Sequence, residues 1–200
     1  MKFPELKIPV RFEQVDSMPD DPPHSKAYCY GNSGAGCFAL VYPVQAEEAM
    51  PYAYPRAVVD GIHRSLGEDQ GLIEVVNGVT AIGRRYLYSI VKTLKKPGGV
   101  QYCLRMNIEY PECAMEVMGF FDEMGTTGAR DAMVYAMLSN EGKVKVTENG
   151  LEGWSADPYD PLYTRGVCMN CSERKVFDEQ FPQHPLSEMR RFVTELAELN

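Results

Sequence analysis

Three strand-like runs follow one another between positions 84 and 121, separated only by short breakers: RRYLYSIVKTL, Lys96-Pro97-Gly98-Gly99, VQYCLRMNIEY, Pro111-Glu112 and CAMEVMGFF. A parallel pairing needs a crossover of a dozen or more residues, so each run is expected to pair antiparallel with the one before it. In the middle run Val100, Tyr102, Leu104, Met106 and Ile108 fall on one face, and Gln101, Cys103, Arg105, Asn107 and Glu109 on the other. One face reads as core and the other as half polar.

Upstream, LIEVV from Leu72, then Asn77-Gly78, then VTAIG reads as two short strands joined by a type I′ turn, because Asn and Gly tolerate positive φ. Earlier strand candidates are LKIPVRF, AYCYG and GCFALVY, the last two linked by Asn32-Ser33-Gly34. Between these groups Pro55 opens PRAVVDGIHRSL, where Val58, Val59, Ile62 and Leu66 recur at helical spacing. After the meander, Thr126 or Thr127 is positioned to cap a helix through Ala129, Ala132, Met133, Ala136 and Met137. From Glu148 to His184 periodicity disappears around the lone Trp154. The chain then closes on HPLSEMRRFVTELAELN, whose Leu186, Met189, Phe192, Val193, Leu196 and Leu199 form one apolar stripe.

With 200 residues, 44% hydrophobic and 24% charged, one domain covering 1–200 is expected: a core over about 6–140, then an extension and helix over 148–200. The fold class is α+β, a mainly antiparallel sheet of six to seven strands covered by helices as an α/β/α sandwich. GCFALVYPVQAEEAMPY, YLYSIVKTL and GFFDEMGTTGARDAMVYAML give this layout a resemblance to the superfamily of photosystem II extrinsic PsbP-like proteins, Ran-binding nuclear-import proteins and bacterial DcrB-like proteins. The resemblance spans roughly 6–140 and rests on layout, without a signature motif. It implies a binding or accessory role in place of catalysis. In departure from the DcrB-like pattern no lipoprotein-type leader is expected, and the segment from Glu148 has no counterpart in that pattern.

A net charge of −8 disfavours general nucleic-acid and anionic-membrane binding. The start, MKFPELKIPVRFEQV, lacks the apolar stretch of a signal peptide, and no run approaches a membrane span, so a cytoplasmic location with reduced thiols is expected. Cys168 and Cys171 form a CxxC, but neither Cys29 with Cys37 nor Cys103 with Cys113 supplies a second close pair for zinc. They are weak metal or redox candidates, and two separate packing or surface thiols are the plainer reading; no cofactor is expected. The Gly-rich YGNSGAG reads as a hairpin turn, since no Lys-Ser or Lys-Thr follows it. GTTGARD can bind an anion at a helix start or simply cap it. His184 is placed as a helix cap.

Between Val75 and Ile108 stand six basic residues, Arg84, Arg85, Lys92, Lys95, Lys96 and Arg105, and no acidic one. They mark either an edge protected against aggregation or a site for an acidic partner. Trp154, Tyr159 and Tyr163 either pin the extension or anchor an interface. The expected function is therefore a non-catalytic cytoplasmic binding or accessory protein with a protein partner and the capacity to self-associate. Its candidate binding residues are Arg84, Arg85, Lys95, Lys96, Arg105, Asn107, Glu109, Trp154 and Tyr159. The alternatives are a small thiol- or metal-dependent enzyme using Cys168 and Cys171, or a bacterial toxin-neutralising or secretion-accessory protein.

Overall fold

The computed structural model of the chain describes residues 3–148 and 150–200. Its sheet strands are β1 (Glu13–Val15), β2 (Lys26–Gly31), β3 (Ala35–Val44), β4 (Gln70–Val79), β5 (Arg85–Leu94), β6 (Val100–Glu109) and β7 (Ala114–Glu123). They form one antiparallel sheet in the order β1-β2-β3-β7-β6-β5-β4. The helices are α1 (Pro55–Ser65), α2 (Ala129–Asn140) and α3 (Pro185–Leu199).

The alternation in β6 decides where α3 goes. Tyr102, Leu104, Met106 and Ile108 lie on the face where Leu186, Met189, Phe192, Val193 and Leu196 of α3 are buried. That face is lined by small residues in β3 and β7, including Ala35, Ala39 and Gly119, which leave room for the larger helix side chains. A Cβ on Gly119 would come 3.1 Å from the Leu104 Cβ. On the opposite face α1 covers the β4–β5 side, packing Val58 and Val59 with Met50, Leu66, Leu72, Val75 and Leu87. Helices on both faces make the predicted α/β/α sandwich.

Several local expectations are corrected. Asn77 and Gly78 do not turn the chain: they pair with Leu87 and Tyr86 inside an unbroken β4. A Cβ on Gly78 would lie 2.5 Å from the Tyr86 hydroxyl oxygen, so this glycine serves a close cross-strand approach. The turn comes later, where Thr80 N–H donates to Arg84 O at 2.8 Å and Gly83 takes φ 83°. LKIPVRF is not a strand: Phe12 N–H donates back to Pro9 O at 2.9 Å, and only Glu13–Val15 joins the sheet. Neither Thr126 nor Thr127 caps α2; its N-cap is left-handed Gly128, whose N–H donates to the Glu123 carboxylate at 2.7 Å. A small hairpin, β8 (Lys145–Thr147) with β9 (Gly150–Glu152), leads into the stretch from Glu148 to His184 where periodicity disappears, and that stretch also holds two 3-10 turns at Cys171–Glu173 and Lys175–Phe177.

Candidate functional site

The extension is held by a buried polar node. Glu173, fully buried on the first 3-10 turn, accepts from Lys92 Nζ at 2.8 Å, Tyr102 Oη at 2.9 Å and its own cap residue Asn170 N–H at 2.7 Å. Arg190 on α3 reaches Glu74 at 3.1 Å, Asp178 at 3.0 Å and Glu173 O at 3.0 Å. Arg130 on α2 is 1% exposed and donates to Ser172 O, Ser187 Oγ and Asp178 Oδ1. These charges are paired inside the molecule, which is the condition for burying them at all.

His184 sits beside Arg130, its Nδ1 accepting Leu186 N–H at 3.3 Å as the expected cap of α3. Burial, with Arg130 and Arg190 adding to it, lowers its pKa to about 3. The anion reading of GTTGARD meets Glu123 at the start of α2, where a carboxylate of this chain already takes the free N–H.

Aromatic residues of the extension face inward. Trp154 packs edge-on against Tyr135 at 5.6 Å, and Tyr159 Oη both accepts Val75 N–H and donates to Val75 O. His63 joins Asp157 at 2.9 Å and stacks on Tyr163 at 4.1 Å. Trp154 and Tyr159 thus pin the segment.

The two cysteines of the CxxC have separate duties. Cys171 is buried and donates to Gly153 O at 3.1 Å; Cys168 points to Tyr163 O at 3.6 Å. Burial first, then Asp157, raises the Cys168 thiol above its ordinary value, which keeps it protonated and weakly nucleophilic. Cys171 starts a three-residue 3-10 turn where thioredoxin-like chemistry needs a true helix start. Among the described residues, no group of three or more His, Cys, Asp or Glu is placed to hold a metal ion.

The basic run disperses in space. Arg85 pairs with Glu109, Lys95 with Asp122, Arg105 with Glu116, and buried Lys92 with Glu173. Arg84 lies over the Tyr110 ring at 3.8 Å, and Lys96 is exposed at the β5–β6 turn. Asn107 is fully buried: it donates to Glu116 at 2.9 Å and accepts Met50 N–H at 3.0 Å. The loop over 45–54 thereby closes this end of the sheet face. Burial would raise the Glu116 pKa, but hydrogen bonds from Arg105, Asn107 and Tyr42 outweigh it and hold the carboxyl below its usual range.

Beyond that closed end the same face is uncovered. Directly paired residues run Cys29 on β2, Phe38 on β3, Phe120 on β7 and Cys103 on β6. The neighbouring rung is Ala27, Leu40, Met118 and Arg105. Cys29, Phe38, Leu40, Met118, Phe120 and Cys103 are half-buried and belong to none of the three apolar clusters. A depression of about 720 Å³ at one end is lined in part by Glu13, Cys29, Phe38, Phe120 and Asp122. Burial raises the Cys103 thiol.

Sequence reasoning located Arg105 on this face but missed the phenylalanines. Their signal was present in β3, where Phe38, Leu40 and Tyr42 alternate with Cys37, Ala39 and Val41. Both faces of that strand are apolar, so alternation could not tell which one the helix covers.

No protein-family model and no curated protein matches the chain. Among solved structures it is similar to PA94, a Pseudomonas aeruginosa protein of unknown function, with 9% identity and a TM-score of 0.39 over 66% of this chain and 93% of that one. A likeness of that depth carries no inference about fold or activity. Among the described residues no helix is long and apolar enough to cross a membrane.

Proposed function

We propose that the chain is a non-catalytic accessory protein that binds a partner protein through the uncovered part of its sheet, in keeping with the PsbP-like layout. The carrying observation is the asymmetry of the two faces. α3 seals one face along β3, β7 and β6, whereas the other leaves Cys29, Phe38, Leu40, Met118, Phe120 and Cys103 contiguous and half-buried across β2, β3, β7 and β6. A contiguous apolar patch rimmed by charge is the surface that protein partners cover. Glu13, Asp122, Lys95 and Arg105 supply such a rim.

Each 100 Å² of apolar surface covered contributes about 2.5 kcal/mol, set against about 4–15 kcal/mol of freedom lost on association. The polar rim must therefore orient the partner as well as surround the patch. A photo-crosslinking residue replacing Phe120 is expected to give a discrete protein adduct in cells, while the same group at exposed Met133 on α2 does not. Equal labelling at the two positions, or none at Phe120, would remove the support for this surface.

A further inference from the structure

The uncovered rung is a palindrome. Across four neighbouring strands it reads Cys29, Phe38, Phe120, Cys103. A two-fold axis parallel to the strands and midway between β3 and β7 exchanges β3 with β7 and β2 with β6. It therefore maps this rung onto itself with like side chains opposed. The next rung answers in the same way at its centre, Leu40 exchanging with Met118. Self-complementarity of this kind is what an isologous interface requires.

We infer that the partner of the uncovered face is a second copy of this chain, packed sheet on sheet about that axis. Phe38 of each copy then lies against the other copy's Phe120, and each Cys29 faces the other copy's Cys103. The inference rests on the functional reading above and names its partner.

The remainder of the sheet accommodates that arrangement. In the order β1-β2-β3-β7-β6-β5-β4, the axis places β5 of one copy over β1 of the other, and carries β4 past the β1 edge. Because α1 packs on β4 and against Leu87 of β5, and the loop over 45–54 covers the Asn107 end of β6, contact between the copies is confined to the Cys29 and Leu40 rungs of β2, β3, β7 and β6, with α1 standing beside the other copy's short β1. The charges match there. The stretch 13–21 carries Glu13, Asp16, Asp20 and Asp21 and no basic residue, while α1 presents exposed Arg64 and an Arg56 that pairs with Asp60 of the same helix at 3.1 Å. Opposite potentials thus meet on both sides of the axis.

Within one chain the two cysteines cannot pair. Three strand spacings separate them by ~14 Å, beyond the ~7 Å Cα limit of a disulfide. Between copies, sheets packed ~10 Å apart bring Cys29 and Cys103 within reach of a short bismaleimide, which adds one thiol across each of its double bonds and needs no oxidant.

The experiment uses reduced full-length protein and that reagent. Wild type is expected to sediment as a dimer and to give a crosslinked dimer. Cys29→Ser alone and Cys103→Ser alone should each give none. An equimolar mixture of the two variants, allowed to exchange, should regain crosslinking at roughly half the wild-type yield, because random pairing makes half the dimers mixed and each mixed dimer holds one complete pair. Crosslinking that survives in either single variant, a mixture that stays uncrosslinked, or a wild type that sediments as a monomer overturns the inference. The Phe120 photo-adduct separates this failure from that of the functional reading. An adduct with twice the chain mass supports both, an adduct with a different protein refutes the second copy alone, and no adduct refutes both.

Discussion

Gly71 lies on β4 directly beneath the extension, where Val167 N–H donates to Gln70 O at 2.8 Å. A Cβ at this glycine would fall 1.7 Å from the Val167 carbonyl oxygen, so backbone must move before any side chain fits. Gly71→Ala should lower stability by about 1–3 kcal/mol, the range for overpacking, read from the urea midpoint. Gly98→Ala, which meets nothing within 4 Å, should be nearly neutral in the same assay. His184 sets a pH dependence at this scale. Its folded pKa of about 3 lies below its ordinary 6.5, so between these values the unfolded chain binds the extra proton and stability falls as the solution is acidified. Arg130 and Arg190 bear on the ring and Glu123 lies 4.0 Å from it. His184→Asn keeps a capping acceptor without a titration. It should flatten the stability loss between pH 6.5 and 5, by up to about 1.4 kcal/mol per pH unit, in urea melts across that range.

Elements become specific to one another through pairs that no local pattern reveals. Lys92 sits in β5 and Glu173 in a 3-10 turn, 81 positions apart, yet both are buried and 2.8 Å from one another. Lys92→Met leaves buried Glu173 without its counter-charge and should cost about 3–5 kcal/mol, whereas adding Glu173→Gln should recover most of that loss; thermal unfolding of the two variants checks the pair. The β5–β6–β7 meander was legible because short breakers dictate antiparallel neighbours and period-2 alternation dictates faces. The helix stripes in α1 and α3 were legible for the same kind of reason. Asn77-Gly78 misled because a turn-forming dipeptide is also the dipeptide that lets a Tyr86 ring lie close across a strand pair. The cap of α2 misled because Glu123, at the end of β7, reaches the helix start in place of the nearby threonines.

The whole molecule joins a regular sandwich to an irregular strap that packs as if it were core. Arg130, Arg190, Lys92 and His63 all bind groups between Asp157 and Asp178, so the strap should unfold together with the sheet. Native-state proteolysis is expected to cut the exposed stretch 16–20 well before any bond between 154 and 178, although both are irregular. Early cleavage in the strap would show that its buried charges do not couple it to the sheet. At this scale the basic run also loses its meaning as a patch, because Arg85, Lys92, Lys95 and Arg105 are divided between the two faces of the sheet and each meets a carboxylate there.

Periodicity, breakers and composition by themselves determined the antiparallel order of β5, β6 and β7, the two amphipathic helices and the α+β class, since these depend on contacts between residues close in sequence. Only the tertiary structure decided which apolar face of β3 is covered, that Lys92 is a buried ion-pair partner, and that Cys29, Phe38, Phe120 and Cys103 stand in one row. Those facts arise when strands distant in the chain become neighbours, and their register is set by hydrogen bonding and packing across the whole sheet.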